Sequence, residues 1–405
     1  MTGHLEVPNW YLKSAISLTL NSNMKSDGKR SRFRRTARLS VFVTTPYISA
    51  RSLSSITFSP RIKKIRRSTR STSAAERAFA SLVMVRLACL GTVNRRSTSM
   101  PLPALALLVC ASVTHGDGRW SAAAPLPEPV QELSAAVLHG RIYVAGGFDR
   151  TGAPTAVAFR YDPVANQWER VADLPAARHH MPLAAVDDTL YAVGGLAEAT
   201  FVPENTLWIY RDDQNRWESR APLPAPRGAS GVGVVSGKLV VVGGWGVGRR
   251  LVDSTAIYDP ATNRWRNAAP IPTLRDHLTA VAVSGTLYAI GGRPLNPDRN
   301  YDVVEAYDPA TDRWTARSRM PSRRGGLAST VLAGRVHTFG GETRSSVFSN
   351  HEVYDPATDR WTTAPSLPTA RHGLGAATVG GRIYVIGGGP RPGLAQTDAV
   401  EVFTP

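Results

Sequence analysis

The sequence predicts an all-β chain folded as a six-bladed β-propeller, and three observations predict it. Trp120, Trp168, Trp217, Trp265, Trp314 and Trp361 each stand 26 positions ahead of a Gly-Gly pair, beginning at Gly146, Gly194, Gly243, Gly291, Gly340 and Gly387. Between one Trp and the next lie four short strand-like runs punctuated by turn residues. Only one stretch of the unit changes length, the one that follows the Gly pair. A fixed repeat of about 40–50 residues with four short strands is the mark of one propeller blade, so six copies predict six blades.

Within a unit each strand has its own reason. The first is small and apolar, as in Gly373-Leu374-Gly375-Ala376-Ala377-Thr378-Val379, which suits the crowded position nearest the axis. The second is β-branched or aromatic and ends in the Gly pair, as in Ile383-Tyr384-Val385-Ile386-Gly387-Gly388. Glycine there permits positive φ or a backbone approach that a Cβ would block. The third runs into an Asp-Pro turn, as in Glu305-Ala306-Tyr307-Asp308-Pro309, where Pro presets φ and Asp accepts a backbone amide. The fourth carries the Trp, whose apolar area is expected to bind blade to blade.

The last unit supplies three strands and has no Trp after Phe403, whereas Trp120 precedes the first complete unit. The N-terminal strand is therefore expected to complete the last blade as its outer strand and shut the ring.

Charge separates the propeller from what precedes it. Of a formal +17, residues 1–99 hold 19 Lys/Arg against three acids, a net of +16, and the remainder holds 29 against 28. The propeller is close to neutral, which argues against nucleic acid as its partner. Residues 101–113 form an uncharged apolar run after Arg95 and Arg96, with small Ala111 and Ser112 near its end as cleavage positions. That order is expected of a secretory signal peptide over 84–116 starting at Met84, too short to be a transmembrane anchor. Residues 1–83 are basic, Ser-rich and without sustained periodicity. They are expected to be disordered, and read as a transit peptide, a basic tail or a misassigned extension. The expected domain is 117–405, secreted or periplasmic and monomeric.

The Gly pairs, the Tyr-Asp-Pro turns at Tyr161, Tyr258, Tyr307 and Tyr354, and the Trp seven residues after each Tyr resemble the kelch-repeat family. The resemblance implies a six-bladed kelch propeller and leaves function open, because kelch propellers include binding modules and some enzymes. Kelch copper oxidases need a Tyr cross-linked to Cys. Both cysteines, Cys89 and Cys110, precede the repeat, so that chemistry is excluded.

Variable length after the Gly pair points to the loops between the second and third strands as the functional face. An Arg recurs 16 residues before the pair, at Arg178, Arg227, Arg275, Arg324 and Arg371, with Val130 in the first unit. Five guanidiniums at one channel mouth, with loop Arg249, Arg250, Arg293, Arg344 and Arg391, would form a positive concave surface for carboxylates or phosphates. Two places after each Arg stand Glu132, His180, Ala229, His277, Gly326 and Gly373, with His372 beside the last. Two imidazoles and a carboxylate are metal-ligand types, but they come from non-adjacent units without local ligand spacing. They are expected to line a wet channel, with no metal and no cofactor. Trp245, directly after a Gly pair, is expected to be an exposed anchor alongside Phe148, Phe201, Tyr301 and Phe348. The expected function is a non-enzymatic module binding a protein partner or an anionic or carbohydrate ligand. The alternative is a sugar isomerase resembling bacterial sialic-acid mutarotases, also six-bladed kelch propellers, with proton transfer by Glu132 or a channel His.

Overall fold

A computed structural model describes residues 118–405, so the expectations for residues 1–83 and 84–116 lie outside the described residues. Six four-stranded antiparallel sheets follow one another around the ring. Blade 1 comprises Ser134–Leu138, Arg141–Ala145, Ala158–Asp162 and Gln167–Arg170 from the axis outward. Blades 2 to 5 repeat that order, beginning at Leu183–Val186, Gly231–Val235, Thr279–Val283 and Ala328–Leu332. Blade 6 has Gly375–Val379, Arg382–Ile386 and Val400–Thr404 from the C-terminal end, and Arg119–Ala122 as its outer strand. Trp120 pairs with Phe403 in that closing ladder, as the leftover Trp predicts. Loops on the variable face add two small hairpins, Leu196–Ala197 with Val202–Pro203 and Trp245–Gly246 with Arg250–Leu251.

The two constant features of the repeat both join blades. The first Gly of each pair lies against the carbonyl of the residue that opens the next blade, an Arg at five joints and Val130 at the sixth: an added Cβ on Gly291, at φ +64°, would stand 2.7 Å from the Arg324 oxygen. The second Gly donates to that same carbonyl, Gly292 to Arg324 and Gly341 to Arg371 both at 2.9 Å. Any side chain at the first Gly would push the blades apart, which explains the pair.

Each Trp reaches the other way. Trp168, Trp217, Trp265 and Trp314 donate their indole N–H to Ala124, Ala172, Ala221 and Ala269, at 2.9, 2.8, 2.7 and 2.9 Å. Beside them a left-handed Asn or Asp accepts both the Tyr hydroxyl of its own blade and an amide of the preceding one. Asn263, for example, takes Tyr258 Oη at 2.8 Å and Ala221 N at 3.0 Å. The spacings that are invariant in the sequence are thus the two ends of each blade-to-blade joint.

Candidate functional site

The repeating arginines fill the inside of the blades. Arg227, Arg275, Arg324 and Arg371 are wholly buried, and Arg178 is nearly so. Arg275, Arg324 and Arg371 pair with Glu305, Glu352 and Glu401 of their own blades at 2.6, 2.6 and 2.7 Å. Arg227 donates to the carbonyl and hydroxyl of Ser254 at 2.7 and 2.6 Å. Arg178 lies 3.4 Å from Glu204 and stacks over Trp208. The positive concave surface expected from these five residues is therefore corrected: their donor forks are spent on the scaffold. The cause is that the Arg backbone is the blade joint, which turns the side chain into the sheet. Of the loop arginines, Arg293 is buried and pairs with Glu342 at 2.8 Å, while Arg344 pairs at the surface with Asp298.

Trp245 is likewise not an exposed anchor. It is 6% exposed, because the position after each Gly pair forms a bridge to the residue after each Arg, here Gly228, and so turns toward the axis. Phe148 is buried for the same reason, in its bridge to Gln131. Phe201, Tyr301 and Phe348 are half-buried.

The residues two places after each Arg are brought together. Glu132, His180, Ala229, His277, Gly326 and Gly373 all have φ between +52° and +68°. Each donates its amide to the carbonyl of its counterpart in the preceding blade. The six hydrogen bonds, 2.7–3.0 Å, close a belt around the axis: Glu132 to Gly373, His180 to Glu132, Ala229 to His180, His277 to Ala229, Gly326 to His277 and Gly373 to Gly326. A left-handed backbone costs a side-chain-bearing residue about 1–2 kcal/mol, which the closed belt offsets. Ala229 shares it, so the belt imposes the conformation. Its consequence is that Glu132, His180 and His277 meet at the axis.

Non-adjacent blades are close there, and this is why the absence of local ligand spacing misleads. His180 Nε2 lies 3.0 Å from His277 Nε2 and 3.2 Å from Glu132 Oε2. One ligand atom from each of the three lies within 4.8 Å of the others. The cluster caps an axial cavity of about 460 Å³, otherwise walled by small and aliphatic side chains of the innermost strands.

A second layer fixes the first. Asp276 Oδ2 receives His277 Nδ1 at 2.5 Å, and Asp276 Oδ1 takes the Leu295 amide. His180 Nδ1 lies 2.6 Å from His179 Nδ1, and His179 Nε2 lies 3.1 Å from the Glu198 carbonyl. His372 Nε2 stands 3.7 Å from Glu132 and 3.4 Å from Glu342. Burial, reinforced by Glu342 and opposed by Arg293, pushes the Glu132 carboxyl up to about 8. Burial holds His180 and His277 below the ordinary imidazole value and takes His179 down to about 4. Rings of Phe148, Phe201 and Trp245 pack on these imidazoles with centroids 4.1–6.1 Å apart. Sequence reasoning missed Asp276, Glu342 and the role of His179. Their signal is positional, since Asp276 and His179 each directly follow a recurring Arg.

Comparison with known proteins decides the family. The Attractin/LZTR1 β-propeller family model matches residues 142–397, more than half of the chain. The chain belongs to this family of kelch-repeat propellers. Similar curated proteins include Kelch-like protein 35 of Mus musculus, 34% identical over 91 residues, covering 22% of this chain and 16% of that protein. Kelch-like protein terF of Aspergillus terreus is 33% identical over 98 residues, covering 22% and 21%. Alpha-scruin of Limulus polyphemus is 35% identical over 83 residues, covering 19% and 9%. The matches span between 9% and 21% of these relatives' lengths. A solved structure titled "Structure of YjhT" aligns with TM-score 0.60 at 17% identity, over 69% of this chain and 97% of that one, a likeness of fold. Among the described residues, no helix is long and apolar enough to cross a membrane.

Proposed function

We propose that this chain is a secreted or periplasmic binding module that takes a carbohydrate at the axial mouth of the propeller. One observation carries the reading: Glu132, His180 and His277, from three different blades, converge at the end of an axial cavity of about 460 Å³. A recessed polar centre suits a small ligand with several hydroxyl groups, and half-buried Phe201 offers a ring beside the imidazoles. The basic and apolar order of the leader supports export. An anionic ligand held by the arginine ring loses its support, since those guanidiniums are already paired.

A protein partner is the second reading. Val202, Val247, Leu274 and Leu394 are exposed on the loop face that carries the mouth, and kelch relatives share the scaffold. The carboxylate–imidazole contact also keeps sugar isomerisation in view, because acid and base would flank one ligand position.

The test is thermal unfolding of the full chain with a panel of neutral and acidic sugars, with a chelator present throughout. Wild type is compared with Glu132→Gln and with the rim variant Val202→Asp plus Val247→Asp. A sugar at about 100 times its Kd stabilises by about 2.7 kcal/mol. The proposal expects that shift to vanish in Glu132→Gln and persist in the rim variant. No stabilising sugar, or a shift untouched by Glu132→Gln, overturns it. NMR of the anomers of any sugar that binds tests isomerisation in the same samples.

A further inference from the structure

We infer that Glu132, His180 and His277 form a site for a single first-row divalent cation of the Zn²⁺ class, with one coordination position open to the axial cavity. The outer partners of the two imidazoles fix which ring atoms carry protons. The Asp276 carboxylate accepts from His277, so His277 bears its proton on Nδ1 and turns a lone pair outward on Nε2. The Glu198 carbonyl also only accepts, which places the His179 proton on Nε2. His179 Nδ1 is then an acceptor, and the contact at 2.6 Å requires His180 to donate from Nδ1. His180 too is left with a lone pair on Nε2.

Both Nε2 lone pairs therefore face each other at 3.0 Å, with a Glu132 oxygen 3.2 Å from one of them. Two imidazole lone pairs and a carboxyl oxygen aimed at one buried point are stable together only with a proton on Glu132 or a cation between them, and a cation satisfies all three at once. Two imidazoles each held by an outer acceptor through Nδ1, together with one carboxylate, are the arrangement by which proteins orient zinc ligands. Zn–N and Zn–O bonds of about 2.0–2.2 Å place tetrahedral ligand atoms somewhat over 3 Å apart, close to the separations of His180 from His277 and from Glu132, and all three ligand atoms lie within 4.8 Å of one another.

Local charge agrees. Glu132, Asp276 and Glu342 are all buried at this mouth, and Arg293 is the guanidinium that pairs among them. Asp276 and Glu342 exceed Arg293 by one negative charge, Glu132 adds a second when it gives up its proton to coordinate, and one divalent cation neutralises both. Imidazole donors select against Mg²⁺ and Ca²⁺, which prefer all-oxygen sites. The fourth position faces the cavity, because all three ligands line its wall. A water or a sugar oxygen there would be polarised by the ion.

The inference deepens the axial-site reading but is tested without any sugar. The full chain is stripped with chelator, dialysed, and titrated with Zn²⁺, Co²⁺ and Mg²⁺. Binding is followed by calorimetry and by the visible spectrum of Co²⁺. One equivalent of Zn²⁺ or Co²⁺ is expected, with the intense spectrum of a four-coordinate site and no response to Mg²⁺. His180→Ala and His277→Ala are expected to lose that spectrum, with folding verified by circular dichroism. Asp276→Asn keeps every ligand but disturbs the His277 tautomer, so its affinity should fall about 10–100-fold. His139→Asn, at an exposed imidazole, should leave binding unchanged. Absence of a stoichiometric Zn²⁺ or Co²⁺ site in wild type overturns the proposal. So does an unaltered Co²⁺ spectrum in the His277→Ala chain. Sugar binding under chelator without metal binding would sink this inference alone, and metal binding without sugar binding would sink only the carbohydrate reading.

Discussion

Trp120 and Phe403 face each other across the seam where the two ends of the propeller meet, as register partners with ring centroids 5.3 Å apart. The Trp120 indole also donates to the Pro365 carbonyl at 2.8 Å, the joint that every other blade makes within continuous chain. Trp120→Ala should therefore destabilise the propeller as much as Trp314→Ala in blade 4, by about 3 kcal/mol in each case. Urea unfolding curves of the two variants check this. A negligible effect at Trp120 would show that the closing strand is dispensable.

The Gly pairs predict a contrast between two glycines of similar φ. Gly340→Ala drives a methyl into the Arg371 carbonyl, whereas Gly237→Ala meets nothing within 4 Å. At Gly237 only the left-handed backbone is penalised, about 1–2 kcal/mol. Gly340→Ala should cost clearly more, since blade 5 must also move from blade 6. Thermal unfolding of both variants gives the comparison.

The buried ion pairs predict a rescue. Glu352→Ala strands the Arg324 guanidinium without exposure and should cost about 3–5 kcal/mol. Blade 1 holds another solution at the same places, with Val130 and Phe159 packed in one apolar cluster. Arg324→Val combined with Glu352→Phe should recover most of the loss, because well-packed apolar groups can replace a buried pair without penalty. A double variant no better than Glu352→Ala would contradict this reading of the arginines.

The seam also predicts acid sensitivity. His337 and His351 are buried beside Phe403, 2.8 Å apart through Nδ1 and Nε2, and burial lowers them to about 3 and about 4. Above pH ~6.5 both states are neutral there and the stability is fully present. As pH falls from about 6.5 toward 4, the unfolded chain takes up two protons that the folded chain refuses. Stability should drop by about 3 kcal/mol per pH unit from this pair. The substitutions His337→Tyr with His351→Val copy Tyr288 and Val304 of blade 4, and should flatten that part of the pH profile. An unchanged slope in the double variant would assign the sensitivity elsewhere.

Blade number, strand order and ring closure were legible because they depend on residues whose spacing the chain must hold constant. Each Trp and each Gly pair touches a neighbouring blade, so an insertion between them would break a joint. The fate of the arginines was also written in the sequence, in a less obvious form. Glu305, Glu352 and Glu401 each stand two places before the Tyr or Phe of the third strand, and the unit that lacks the Arg carries Phe159 there. That Glu132, His180 and His277 line one level of the channel was legible from their shared place after each Arg, but that they touch was not, because no local spacing encodes it. His180 and His277 are 97 residues apart, and only the narrow belt of left-handed residues brings them to 3.0 Å. Trp245 misled for a related reason, since a residue beside a loop can still turn inward when its backbone bridges Gly228.

Two imidazole lone pairs are held face to face on the axis, beside an oxygen of Glu132. Long-range ¹⁵N–¹H correlation of the histidine rings, in chelated full chain near neutral pH, measures this directly. His180 and His277 should both carry their proton on Nδ1, and Zn²⁺ should shift both Nε2 resonances together. An Nε2–H tautomer at either ring, or Nε2 resonances indifferent to Zn²⁺, would contradict this.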